Sequence, residues 1–115
     1  MTYTLIHHTG CGSSKKGLAL LQENGVEPEI RKYMNSGERL SVDELKDIAK
    51  KMGGVSPRAF LRANDAKKFE LPESASDEDV FAAMADNPRL IQRPIGIKGD
   101  KAVLGRPNSQ LLEII

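Results

Sequence analysis

The chain has one cysteine, no tryptophan and two histidines among 115 residues. A single thiol cannot close an internal disulfide, so neither a disulfide-stapled secreted fold nor a Cys-x-x-Cys redox pair is open to it. With 17 basic and 16 acidic side chains the formal net charge is +1, which gives no whole-molecule attraction for nucleic acid or an anionic membrane. No apolar run approaches the roughly 18 residues of a membrane span. The opening MTYTLIHH lacks the basic and then long apolar regions of a secretory signal. A cytoplasmic location is the expectation, because a lone thiol stays reduced and free to react there. His7, His8 and Cys11 form too small a ligand set, wrongly spaced, for zinc, so no metal is expected.

What is present is an ordinary globular composition, 39% hydrophobic and 29% charged, in a length that suits one domain spanning residues 1–115. TYTLI at 2–6 predicts a short strand. Gly12, Ser13 and Ser14 are expected to cap a helix carrying Leu18 and Leu21, which Asn24-Gly25 stops. Glu29 to Tyr33 predicts a second strand, completing a right-handed βαβ unit. Ser41-Val-Asp-Glu44 is a capping box, followed at helical spacing by Leu45, Ile48, Ala49 and Met52. In SPRAFLRAN, Ser56 as cap and Pro57 at the first position predict a short helix bearing both Arg58 and Arg62. Ser76 with Asp79 opens a helix containing Val80, Phe81 and Met84. Short apolar stretches around Lys98-Gly99-Asp100 predict a β-hairpin, and Gln110 to Ile115 a last helical turn or two. The order β-α-β, helices, β-β-α gives an α/β fold with a small mixed sheet and a helical insert. Nothing in the pattern demands a second copy, so a monomer is expected.

Cys11 lies between the first strand and the first helix. A thiolate there meets unpaired backbone N–H groups and the positive end of the helix dipole, which can bring a cysteine pKa from about 8.5 into a range of roughly 3.5 to 7.5. The plainer alternative, a small buried hydrophobe that is incidentally a thiol, stays open on these residues alone. His7 and His8 at a strand end point to opposite faces, so at most one meets the sulfur. A low-molecular-weight phosphatase loop would need arginine at Gly17, and a thioredoxin-type redox pair would need cysteine at Ser14. Neither chemistry is supported.

The strand–His-x-x-x-Cys–helix start with LLQENGVEPEIRKY after it, and the later SPRAFLRAN, LIQRPI and AVLGRP, resemble the arsenate reductases that depend on glutathione and glutaredoxin. The resemblance runs from residue 2 to about residue 113. It implies a thioredoxin-like fold, Cys11 as nucleophile and His7 as the residue that helps lower the thiol pKa. It also implies that Arg62, Arg93 and Arg106 surround the oxyanion, with a cis peptide at Arg93-Pro94. Arg58 is left out as solvent-facing. His8-Thr9 stands where such proteins commonly have Asn-Pro, and the chain ends soon after Arg106, without the extension that some members carry.

The implied activity is reduction of arsenate to arsenite. Guanidinium groups suit a tetrahedral dianion because each donates paired hydrogen bonds and stays charged. With no second thiol in the chain, glutathione completes the reaction as co-substrate, glutaredoxin accepts the mixed disulfide, and no bound cofactor is expected. Two rivals share the fold. One is a glutathione-dependent thiol reductase whose arginines hold glutathione carboxylates. The other is an Spx-like regulator that binds RNA polymerase, disfavoured because CGSS lacks the second cysteine of such switches.

Overall fold

The strand read in TYTLI forms as β1 (Tyr3–Ile6), and its alternation divides the interior in two. Tyr3 and Leu5 turn to one face, where they join Leu21 and Leu111. Ile6 turns to the other and joins Tyr33, Leu45, Phe60, Met84, Ile91 and Ile95. The computed structural model in which this is seen describes residues 2–8 and 10–115. Met1 and Thr9, the second half of the His8-Thr9 departure, lie outside the described residues.

After β1 the elements run α1 (Gly12–Glu23), β2 (Glu29–Arg31), α2 (Val42–Lys51), α3 (Ala63–Lys68), α4 (Asp77–Asp86), β3 (Ile95–Lys98) and β4 (Lys101–Leu104). Single 3-10 turns occupy Ser36–Glu38, Pro57–Phe60 and Pro88–Leu90, and a longer 3-10 segment, Asn108–Ile114, closes the chain. The sheet order is β2-β1-β3-β4. β1 is parallel to β2 and antiparallel to β3, and β3 is antiparallel to β4. α1 and the C-terminal segment cover one face, while α2 and α4 cover the other. This mixed sheet with a helical insert between its βαβ and ββα halves is the thioredoxin-like arrangement. Among the described residues no helix is long and apolar enough to cross a membrane.

Local signals explain most element starts. Ser41 Oγ accepts from the Glu44 N–H at 3.1 Å, and Glu44 Oε1 accepts from the Ser41 N–H at 3.2 Å, closing the capping box. Ser76 Oγ accepts from the Asp79 N–H at 3.2 Å. Lys98 pairs with Lys101 across a two-residue turn in which Gly99 has φ +62°, a left-handed conformation that favours glycine.

Four expectations are corrected. The strand from Glu29 ends at Arg31, because Tyr33 folds back (its N–H bonds Arg31 O at 3.0 Å) and buries its ring completely. The chain's last turns are 3-10 rather than α and begin at Asn108. SPRAFLRAN is not one helix. Leu61 is extended and bridges Ile91, while the Arg62 N–H bonds Leu90 O and the Gln92 N–H bonds Phe60 O, each at 2.7 Å. Those cross-chain bonds replace helical ones, so Arg62 becomes the N-cap of α3 instead of a helix-face neighbour of Arg58. Arg58 is half-buried, and its Nη2 bonds the carbonyls of Pro72, Glu73 and Ala75. It is a clasp for that loop.

Candidate active site

Sheet register brings the site together. Ile6 pairs with Ile95, so continuing two residues beyond each in opposite chain directions sets His8 beside Arg93. Ile95 also pairs with Leu104, so the same step sets Arg106 beside Arg93. The bonds follow that geometry: Gly105 N–H reaches Pro94 O at 2.8 Å, and Arg106 Nε donates to Arg93 O at 3.0 Å. Arg62 arrives through the Leu61–Ile91 bridge. The Arg93-Pro94 peptide is cis, as the resemblance implies, and Arg106-Pro107 is cis as well.

Cys11 is the N-cap residue of α1, extended at φ −102° and ψ 122°, and no side-chain oxygen caps the helix. Its sulfur therefore stands where a capping oxygen would, facing the first free N–H groups. Burial pushes its pKa up. The Ser14 N–H, the Arg93 guanidinium and the Ser13 N–H outweigh that and bring it from 9.0 to about 7. Arg106 Nη2 lies 4.0 Å from Sγ, at the outer limit of an N–H···S contact. Arg93, not Arg106, is the guanidinium that lowers the thiol pKa. The thiol is half-buried, so a reagent from solvent can reach it.

Arg93 is only 8% exposed, and its Nε and Nη1 are buried without a hydrogen-bond partner among the described residues. A buried guanidinium with free donors is costly unless an anion completes it. Arg62 is held by Asp65, a buried carboxylate whose Oδ2 lies 3.2 Å from Nε. Beside them a cleft of about 280 Å³ is lined by Arg62, Ala63, Asn64, Gln92 and Arg106. Another hollow, of about 200 Å³ beside β1 and α2, contains Arg31, Glu44, Asp47 and Lys51, but its charges are paired at 2.8–2.9 Å. It leaves no group that asks for a ligand.

The two histidines separate as the strand alternation requires. His7 follows Leu5 to the α1 side, where burial, then Lys32 and Lys15, hold its pKa below 6.5 against an opposing Ser14 backbone contact. Its ring carries no charge near neutral pH that could draw on the thiol. His8 follows Ile6 to the arginine side, where burial comes first and Arg93 next among the influences lowering its pKa, with Arg62 and Arg89 contributing. Tyr33 lies under the same cluster and is pushed up to about 12, chiefly by burial. Cys11, Arg93 and Arg106 thus come together, Arg62 sits alongside, and His7 lies on the opposite face. Asn64 and Gln92 lie within SPRAFLRAN and LIQRPI, where only the arginines carry an implied role, and His8 carries none. The period-two pattern of β1 is the one signal that points to His8.

Comparison with known proteins places the whole chain among related sequences and folds. The model of the ArsC family matches residues 6–114. A Haemophilus influenzae protein named arsenate reductase is 38% identical over 118 residues, covering 100% of both chains. The uncharacterised Escherichia coli protein YfgD is 39% identical over 114 residues, 96% of this chain and 94% of that one. The solved structure of an arsenate reductase from Vibrio cholerae superposes with a TM-score of 0.90 at 37% identity, covering 100% of this chain and 98% of that one.

Proposed function

The chain belongs to the ArsC family, and on that premise we propose that it reduces arsenate to arsenite through Cys11. The observation that carries this reading is Arg93: a buried cation with two donor nitrogens unpartnered among the described residues, next to a thiol brought down to about 7. A tetrahedral dianion supplies the missing charge, and it is held against the nucleophile by Arg93 and Arg106, with Arg62 at its outer side. Full-length relatives named for arsenate reduction agree with that choice of anion.

The scheme begins with the Cys11 thiolate attacking arsenic. A sulfur–arsenic bond forms, and a hydroxyl takes up a proton and leaves as water while guanidinium donors stabilise the charge on the remaining oxygens. A glutathione thiolate then attacks the Cys11 sulfur. The sulfur–arsenic bond breaks with its electron pair going to arsenic, which falls from As(V) to As(III) and departs as arsenite. The Cys11–glutathione disulfide that remains is resolved by a glutaredoxin thiolate attacking the glutathione sulfur, which releases Cys11 as thiolate. The electrons come from external thiols, so the scheme needs no bound cofactor. His7 serves as a neutral positioning residue beneath the loop. It acts through the Cys11 turn and not as a charge.

The test is arsenate-dependent NADPH oxidation coupled through glutathione, glutaredoxin and glutathione reductase. Wild type is expected to turn over, and Cys11→Ser to lose activity to background. Arg93→Lys should lose at least tenfold despite its conserved charge, because a point cation cannot reproduce a forked donor pair. Activity surviving in Cys11→Ser would overturn the reading.

A further inference from the structure

Expelling a hydroxyl from arsenate as water consumes a proton, and the groups around the thiol differ in whether they can give one. The arginines keep their protons at any relevant pH. Tyr33 is raised to about 12, and Asp65 is engaged with Arg62, its Oδ2 3.2 Å from Nε. Cys11 attacks as a thiolate and has no proton to donate. His8 is the group on this side whose imidazole titrates near neutral pH. Its place is fixed by the turn that carries the thiol. The His8 N–H donates to Ser14 Oγ at 3.4 Å, and His8 O accepts from the Cys11 N–H at 3.0 Å. The ring folds back over that turn: a Cβ at Gly10, the residue before Cys11, would lie 3.3 Å from both Cε1 and Nε2 of His8. Across the sheet, register sets His8 opposite Arg93. His8 is half-buried, so solvent can replace a proton that it gives up.

We propose that His8 is the general acid of the step that joins sulfur to arsenic, its Nε2 delivering a proton to the hydroxyl that leaves. The Cys11 lone pair forms the sulfur–arsenic bond. The arsenic–oxygen bond breaks with its electron pair going to oxygen, and the Nε2 proton joins that oxygen to release water. Arsenic stays As(V), and the neutral imidazole regains its proton from solvent. Binding of the anion loads this acid. Without anion, burial and then Arg93, His7, Arg62 and Arg89 hold the pKa of His8 below 6.5, so the ring is mostly neutral at pH 7. A dianion among those arginines cancels their field, and an imidazolium beside it becomes favourable. The proton therefore arrives with the substrate. This rests on the arsenate chemistry proposed above and adds the source of its proton.

The test compares full-length wild type, His8→Asn and His8→Ala in the coupled NADPH assay at pH 7, with iodoacetamide alkylation of Cys11 followed on the same proteins. Asparagine keeps a polar side chain at this half-buried strand end but cannot carry the proton. His8→Asn should lower kcat/KM for arsenate roughly tenfold or more and leave the pH midpoint of Cys11 alkylation unmoved. Free imidazole should restore activity to His8→Ala, whose missing ring leaves room for it, and should not speed wild type. A kcat/KM for arsenate equal to that of wild type in His8→Asn overturns the assignment. So does a loss in His8→Ala that imidazole does not repair, or a shifted alkylation midpoint, since His8 would then only hold the turn. In each of those cases turnover by wild type keeps arsenate reduction standing. Absence of turnover by wild type sinks that reading and this one with it.

Discussion

At the scale of single residues, Cys11 and Arg93 are each unfavourable alone and stabilised by the other. The thiol ionises near pH 7 because two helix N–H groups and a guanidinium favour the thiolate over the effect of burial. The guanidinium tolerates its buried position because a thiolate can form beside it. Removing the charge separates the two effects. Arg93→Gln should raise the midpoint of the pH–alkylation profile of Cys11 by about one pH unit, which is roughly tenfold less thiolate at pH 6. The same variant, melted without anion at pH 6, where Cys11 is mostly a neutral thiol, should be no less stable than wild type, because the cation it loses is buried with two donor nitrogens unpartnered among the described residues. An unmoved midpoint would mean that the Ser13 and Ser14 N–H groups lower the thiol pKa by themselves. Cys11 at a helix mouth was legible from its neighbours, whereas Arg62, Arg93 and Arg106 were singled out only by the resemblance that their motifs carry. Gln92 and Asn64 lie in the same motifs without a role there, because an amide acquires meaning only from the groups that fold around it.

At the scale of elements, α1 and the C-terminal segment meet the Pro94 loop with no space to spare. A Cβ at Gly17 would lie 2.8 Å from Leu111 Cδ1 and 2.9 Å from Pro94 Cγ, whereas one at Gly12 would meet nothing within 4 Å. Alanine gains up to about 1 kcal/mol of helix propensity over glycine, while overpacking costs roughly 1–3 kcal/mol. Clash should therefore win at Gly17 and propensity at Gly12. In urea melts Gly17→Ala is expected to lose about 1–2 kcal/mol, and Gly12→Ala to lose nothing. Equal effects at the two positions would deny the close approach. Asn108 Nδ2 reinforces the contact by donating to Ser13 O at 3.1 Å and to Gly105 O at 3.0 Å. The helices whose caps are written locally, at Ser41 and Ser76, were readable in advance. The division of SPRAFLRAN was not, since nothing near Leu61 in the sequence announces a bond to residues 90–92.

For the molecule as a whole, its titrating groups give stability a definite dependence on pH. Cys11 has a folded pKa of about 7 against 9.0, so the unfolded chain binds more protons between those values and stability falls as pH drops from 9 through 7. His7 and His8 are held below 6.5 and Glu44 below 4.5. Each lets the unfolded chain take up protons first as pH falls further, so the loss continues into acid. Tyr3 and Tyr33 are raised to about 12, which reverses the sign above pH 10, where the unfolded chain loses its phenolic protons first. Thermal melts from pH 5 to 11 should therefore peak at about pH 9 and decline on both sides. A maximum at pH 6 or below would contradict these assignments.

What the sequence determined by itself was whatever local chemistry can write. The period-two strand, the capped helices, the Gly99 turn, a thiol at a helix mouth and the absence of a second one all act over a few residues. Only the tertiary structure decided which histidine faces the arginines, where Arg62 leaves its helix, and that a polar cleft opens one guanidinium away from the sulfur. Those outcomes depend on strand register and on bonds between distant segments, whose energies no short stretch of chain contains.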